Sequence, residues 1–231
     1  MARAASSKTA LPVSPKAAPR LVKDKAPARR PPAPPLPRQR EVPEVRRQSL
    51  IQATMRSIAK HGFAGTTIEK ICEEAKVSRG LINHHFGSKD ELIRQSYKVL
   101  CDEWEYRATD TVDGQREPED ELQAIIRLTF SPSLFKPEYL GIWLGFWSAI
   151  GKSPAMRKLN RDLCAQDQAI FQGLFERISA KRGASIEAAA HATALLAMMD
   201  GLWLQWCLDP KVFTVKQAEA ACLDYVARLF P

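Results

Sequence analysis

A chain of 231 residues with 45% apolar content is long enough to bury one sizeable core or two modest ones. No segment reaches the ~18 to 20 apolar residues that a membrane-spanning helix needs and no signal-peptide core stands near the start, so the sequence argues against insertion and export and for a cytoplasmic location. The formal charge of +8 suggests nucleic acid as a partner, yet residues 1–40 carry +9 and the rest of the chain −1, so the excess belongs to the first stretch alone.

That stretch, residues 1–40, also holds nine of the sixteen prolines. It has too little apolar surface to order itself and is expected to be a disordered, basic, Pro/Ala-rich tail. Such a tail could follow phosphates or enter a minor groove beside a DNA-reading unit; a merely solvated extension is the other reading. A transit peptide fits less well, because proline interrupts every amphipathic helix there.

Residues 41–92 carry the most informative pattern. The run TTIEKICEEAKVSRGLINHHFGSKDE, from Thr66 to Glu91, reads as two short helices joined by a tight turn and followed at once by a third, the arrangement of a DNA-reading helix-turn-helix. Thr66 is placed to cap the first short helix with Glu69 three residues on, and Ile68, Ile71, Cys72 and Ala75 form its apolar stripe. The turn is Lys76-Val77-Ser78. Ser78 is expected to cap the next helix, Arg79 to Phe86, in which Leu81, Ile82 and Phe86 face inward while Arg79, Asn83, His84 and His85 supply donors for a groove or for phosphates. Ser88 then caps a longer helix from Lys89 to about Thr109, with Leu92, Ile93, Tyr97, Leu100, Cys101 and Trp104 at intervals of three and four.

Residues 93–231 continue as helices. A loop from Asp110 to Pro118 breaks the pattern, and helices are expected at about 119–130, 137–151, 155–181, 185–207 and 214–229; no stretch alternates as a strand would, so the fold class is all-α. In YLGIWLGFWSAI, Tyr139 to Ile150, Ser148 is the only fully polar side chain, which predicts a helix buried on all sides. Trp143 and Trp147 lie one turn apart, with Tyr139, Phe146 and Ile150 beside them; Gly141, Gly145 and Ser148 make a small-residue face that a helix or a ligand could approach. Met199, Trp203 and Trp206 form a second stripe with Asp200 one turn before Trp203. Each aromatic alone fits core packing; the set, with an acid, also fits a ligand pocket.

Catalytic and metal chemistry find little support. Cys72, Cys101, Cys164, Cys207 and Cys222 form no C-x-x-C pair, and His61, His84, His85 and His191 have no metal-ligand spacing. No G-x-S-x-G, P-loop or G-x-G-x-x-G occurs, so the expectation is a protein that is not an enzyme and needs no cofactor.

From Glu44 to about Leu92 the chain resembles the DNA-binding domain of the tetracycline-repressor (TetR) family. A leading amphipathic helix, RRQSLIQATMRSIAKHGFAGTTI, is followed by the EKICEEAKVSRG turn and by HHFGSKDEL, where His85, Phe86, Ser88, Lys89 and Leu92 fall on the family's H-F-x-S-K-x-x-L run. The family commonly has an aromatic phosphate contact where this chain has Asn83, which is free to reach a base edge instead. The resemblance implies a DNA-facing set of Arg46, Arg47, Thr66, Thr67, Ser78, Arg79, Gly80, Leu81, Asn83, His84, His85 and Lys89. The stretches FSPSLFKPEYLGIWLGFWSAIGKSPAMRKLNRD and LLAMMDGLWLQWCL resemble the effector domain of the BetI-type betaine-pathway repressors, which respond to choline.

That second resemblance implies a quaternary ammonium ligand, which cannot donate hydrogen bonds and is recognised by aromatic faces and diffuse negative charge. The implied ligand set is Tyr97, Trp104, Tyr139, Trp143, Phe146, Trp147, Asp200 and Trp203, with Tyr97 or Tyr139 available to a ligand hydroxyl and Asp200 as either a counter-charge or a helix-helix hydrogen-bonding group. The partners implied are a small-molecule inducer, double-stranded DNA in a near-palindromic operator, and a second copy of the chain. The homodimer would use the helices at 155–181 and 185–207, through Leu163, Ile170, Leu174, Ile178 and the run from Ala188 to Ala197. The competing functional readings are a regulator of another pathway with a different inducer, a structural DNA-binding protein without an effector, and a small-molecule enzyme built on the aromatic region.

Overall fold

The computed structural model describes residues 43–112 and 116–230, so the expectations for the basic tail lie outside the described residues. The described residues contain nine helices and no strand: α1 (Pro43–Gly65), α2 (Ile68–Ala75), α3 (Arg79–Phe86), α4 (Lys89–Thr111), α5 (Pro118–Thr129), α6 (Pro137–Ile150), α7 (Pro154–Arg182), α8 (Ala188–Leu208) and α9 (Val215–Leu229). None of these helices is long and apolar enough to cross a membrane.

Most boundaries follow local chemistry. Ser88 caps α4 by accepting from the Glu91 amide at 3.1 Å, and Pro118, Pro137 and Pro154 start α5, α6 and α7 where a missing N–H costs nothing. Thr214 and Gln217 form a reciprocal capping box on α9. The cap of α2 differs from expectation. It is Thr67 whose side chain accepts from the Lys70 amide, at 3.3 Å. Thr66 is fully buried; its hydroxyl donates to the Gly62 carbonyl at 2.8 Å and accepts from Ser57 at 3.4 Å, so it is spent on closing the end of α1. Ser78 stands before α3 in extended backbone but makes no side-chain cap bond. Lys76 ends α2 in the left-handed region, φ 55°, with its amide turned back on the Cys72 and Glu73 carbonyls.

The long helices share one continuous apolar core running from Leu50 to Phe230. Helix α6 departs from the all-round burial predicted for it. Tyr139, Leu140, Phe146 and Ala149 are buried, but Pro137, Glu138 and Ser148 are exposed and the remaining positions are half-buried. One side of α6 meets α1 so closely that a Cβ on Gly145 would stand 2.4 Å from Ile58 Cγ2, while another side borders a cavity. The small-residue face is therefore used at Gly145; at Gly141 there is open space.

Helices α7 and α8 form a hairpin across a short turn that opens on Gly183, φ 62°. Gln168 ties them together, its amide donating to the Ala189 carbonyl at 2.8 Å and to the Thr193 hydroxyl at 3.1 Å. Leu163, Leu174 and Ile178, expected at an interface between copies, are instead buried inside the protomer, and Ile170 is half-buried. The fully buried Glu121 of α5 accepts from Arg177 of α7 at 2.5 Å, which fixes α5 against the hairpin.

Candidate functional site

The first candidate surface is built by α2 and α3. Ile82 and Phe86 anchor α3 to the core, which leaves Arg79, Gly80, Asn83 and His84 exposed on its other side, with Thr67 and Ser78 exposed beside them. Leu81 and His85 are half-buried. Arg79 is held by an ion pair with Glu69 of α2, which presents the guanidinium from the α2–α3 corner. Burial, followed by repulsion from His84, Arg47 and Arg46, holds His85 below the ordinary imidazole range, so it stands neutral with one N–H to donate.

Two cations named from the sequence brace this surface in the protomer. Arg47 donates to the His85 carbonyl at 3.0 Å and lies 4.5 Å over the Phe86 ring, fastening α1 to the end of α3. The Lys89 ammonium donates to the Thr66 carbonyl, fastening the start of α4 to the α1–α2 turn. Thr66 itself is buried beneath the surface, and Arg46 is half-buried on α1.

The second candidate is a cavity of about 290 Å³ enclosed by α4, α5, α6, α7 and α8. Its wall brings together Tyr97, Trp104, Trp143, Trp147, Asp200 and Trp203 from the sequence set. Tyr139 and Phe146 stand behind the wall as support: Tyr139 meets the edges of Trp143 and Trp203 at 6.3 and 6.2 Å between centroids, and Phe146 meets Tyr97 at 5.1 Å. Trp206, the remaining tryptophan, packs on Phe135 instead.

The rest of the wall lies outside the ligand set drawn from the sequence, although Met199 falls in the Trp203 stripe there and Cys101, Leu163 and Ala197 among the packing residues. It includes a polar group, Asn160, Asp167, Gln168 and Thr193, together with Cys101, Thr129, Leu163, Cys164, Leu196, Ala197 and Met199. A signal for some of these existed: Thr193, Leu196 and Ala197 precede Asp200 at spacings of seven, four and three, on the face that leads to Trp203. Asp167 had no such signal, since α7 is rich in polar residues on several faces.

The cavity's electrostatics are acidic. The Tyr97 hydroxyl donates to Asn160 Oδ1 at 2.6 Å, and burial pushes its phenol well above the ordinary range. Burial, with repulsion from Glu105 and Asp200, raises Asp167 to about 7; burial alone raises Asp200 to about 6. Asp200 is nonetheless exposed at the protomer surface. The two facts agree if its carboxyl stands in a crevice, crowded by protein and open to water at the mouth. Burial raises the Tyr139 phenol to about 12, and its hydroxyl and the Trp143 and Trp203 N–H groups are buried without a hydrogen-bond partner. Among the described residues no Lys, Arg or His lies on the wall.

Residues 50–95 match the model for bacterial regulatory proteins of the tetR family, and residues 118–231 match that for the C-terminal part of BetI-type transcriptional repressors. The HTH-type transcriptional regulator BetI of Paraburkholderia phymatum is 33% identical over 192 residues, covering 79% of this chain and 92% of that protein. The chain belongs to the tetracycline-repressor family. It is a transcriptional regulator of that family with a C-terminal domain of BetI type. Among solved structures of similar proteins, a transcriptional regulator from Pseudomonas aeruginosa PAO1 has a TM-score of 0.75 at 34% identity, covering 82% of this chain and 92% of that one. A transcriptional regulator from Saccharomonospora viridis, solved in complex with choline, has a TM-score of 0.71 at 21% identity and covers 80% and 96% of the two chains, a likeness of fold. The tetR-family match begins inside α1 and ends inside α4, so it takes in the whole α2–α3 corner.

Proposed function

We propose that this tetracycline-repressor family member is a homodimeric, cytoplasmic repressor of choline and glycine-betaine genes, released from a near-palindromic operator by choline or a related quaternary ammonium compound. The observation that carries the reading is the cavity itself: among the described residues its wall holds four indoles, a phenol and two carboxyls, and no basic group. A quaternary ammonium ion offers no hydrogen to donate, so recognition falls to ring faces, worth ~0.5 to 2 kcal/mol each according to desolvation. A volume of about 290 Å³ stands at the small end of ligand pockets, which suits a compact cation rather than a long chain. The choline complex of the S. viridis regulator and the similarity to BetI proteins support the same ligand.

On DNA, the two copies would set a pair of α3 helices about one turn of duplex, ~34 to 36 Å, or a multiple apart. Replacing Arg79 or Asn83 by alanine should cost ~1 to 3 kcal/mol at the operator and relax preference at one position. Competition between a short operator and random DNA at fixed salt measures both effects. If neither variant changes affinity or preference, α3 does not read bases.

The two carboxyls make ligand affinity depend on pH. Asp167 and Asp200 have folded-state values near 7 and 6, above the ordinary 3.8. Stability associated with them is thus present in full only below the ordinary value of 3.8 and declines as pH rises from there through the folded values of about 6 and about 7, above which the empty cavity must hold ionised groups. A cation favours the ionised pair, so choline should bind more tightly at pH 8 than at pH 5.5, with proton release on binding near pH 6 to 7. Fluorescence titration at the two pH values checks this, and Asp167→Asn should flatten the dependence. Equal affinity at both, in the wild-type chain, would show that the carboxyls do not face the ligand. The function as a whole is tested by adding choline to the operator complex: dissociation supports it, and an undisturbed complex at saturating choline rejects the inducer.

A further inference from the structure

A second, smaller cavity of about 150 Å³ lies where α1, α4, the α5–α6 turn and α6 meet. Its chemistry is the reverse of the aromatic cavity's, and the two walls share no residue. Three cations stand on it, Arg56 of α1, Arg107 of α4 and Lys136 at the start of α6, against one acid, Glu103 of α4, a formal surplus of two positive charges.

Neighbouring groups do not cancel that surplus. Glu103 accepts from Arg107 at 2.7 Å, one acid for one base. Arg56 approaches Glu74 of α2 only to 3.7 Å, and Glu74 already accepts from Lys60 at 3.0 Å. Lys136 is exposed, and among the described residues nothing pairs with its ammonium. It is also the N-cap of α6 and makes no side-chain cap bond, so the positive end of that helix adds to the field. The wall further includes Tyr139, 8% exposed, whose hydroxyl is buried without a partner. Guanidinium, ammonium, helix N-terminus and hydroxyl are together the donors that hold phosphate oxygens.

We propose that this cavity is a second binding site, for a small dianion of the phosphate type, that ties α1 to α4 and α6. A volume of about 150 Å³ lies below the range of ordinary ligand pockets, which admits an inorganic ion or a short phosphomonoester head and excludes a nucleotide. Bound there, the ion links Arg56 to Arg107 and Lys136 and lies beside Tyr139, which meets the edges of Trp143 and Trp203 behind the aromatic cavity. The site is independent of which ligand that cavity takes. Phosphates of duplex DNA are the other source of the same chemistry, and the test separates the two.

Inorganic phosphate is titrated into the full chain by calorimetry at pH 8, where it is mostly dianionic, in chloride buffer of matched ionic strength without DNA. One ion per chain should bind. Lys136→Gln, at an exposed residue without a partner, and Arg107→Gln should each weaken binding at least about tenfold while circular dichroism stays that of the parent. Lys152→Gln removes an equal charge from another exposed lysine just past the far end of α6, and should change affinity by less than about twofold, because screening silences charges beyond a Debye length. Phosphate should raise the melting temperature of the wild-type chain more than that of Lys136→Gln, since general salt effects act on both alike. Absence of phosphate binding by the wild-type chain would overturn the proposal, and so would equal weakening by Lys136→Gln and Lys152→Gln. In phosphate-free buffer Lys136→Gln should leave operator affinity and its salt dependence unchanged; a salt slope lowered by about one would assign these cations to the duplex backbone and remove the free dianion.

Discussion

Replacing Trp143 by leucine is expected to abolish the choline response while leaving operator binding without ligand near normal. Trp143 is the hub of the cavity's rings, with centroids 6.1 Å from Tyr97, 6.3 Å from Tyr139, 6.0 Å from Trp147 and 6.3 Å from Trp203. Its loss removes one ring face, ~0.5 to 2 kcal/mol of cation recognition, and frees the neighbours that it holds edge-on. Leucine is the better probe than alanine, because a buried tryptophan cut to alanine leaves a cavity costing ~3 to 5 kcal/mol and confuses loss of ligand with loss of fold. The measurement is quenching of the remaining tryptophans by choline, set beside its neutral carbon analogue 3,3-dimethylbutan-1-ol. In the wild-type chain choline should bind and the analogue should not at the same concentration. Equal binding of the two would return the tryptophans to simple core packing.

Gly145→Ala should have the second largest effect. The added methyl would stand 2.4 Å from Ile58 Cγ2, and α6 and α1 are closely paired there. Alanine gains ~0.5 to 1 kcal/mol over glycine within a helix, but overpacking of a fixed contact costs ~1 to 3 kcal/mol, so the clash wins and the melting temperature should fall. Ile58→Leu removes the offending β-branch methyl at constant volume, and the double variant should recover much of the loss. Operator affinity should change in parallel, because α6 carries Trp143 and Trp147 on the cavity wall and Gly145 against α1. An unchanged melting temperature in Gly145→Ala would show that α1 can give way, and the close contact would then constrain nothing.

The parts of the molecule that were legible in the sequence are those fixed by neighbours in the chain. The bounds of α3 and the Ser88 cap follow from residues within four positions, and the structure has them as read. Thr66 and Thr67 show where local reading stops. Either can cap α2, and the choice is made by Ser57 and the Gly62 carbonyl, which take Thr66 into the core. In the same way Arg47 and Lys89 belong to the DNA-facing set that the resemblance implies, whereas in the folded chain each reaches a carbonyl on another segment. The aromatic wall was half legible. Helical spacing groups Tyr139, Trp143 and Phe146, but only the crossing of α4, α6 and α8 puts Trp143 on the wall and the other two behind it. Asp167 was out of reach because nothing in the composition of α7 separates it from its polar neighbours; burial beside Glu105 and Asp200 is what marks it.

Gly62 kinks α1 near its C-terminal end. Its φ of 68° is one that side-chain-bearing residues rarely adopt, and Phe63, the next residue, lies 6.5 Å from Phe146 of α6. With Ile58 seated on Gly145, the first helix contributes two side chains to packing that belongs to the C-terminal half. Exchange of DNA-reading halves between members of the family is therefore not a matter of cutting between α3 and α4. A chimera that replaces α1 while keeping this chain's α6 is expected to lose the seating of Ile58 on Gly145 and of Phe63 by Phe146, and to melt at a lower temperature than the parent.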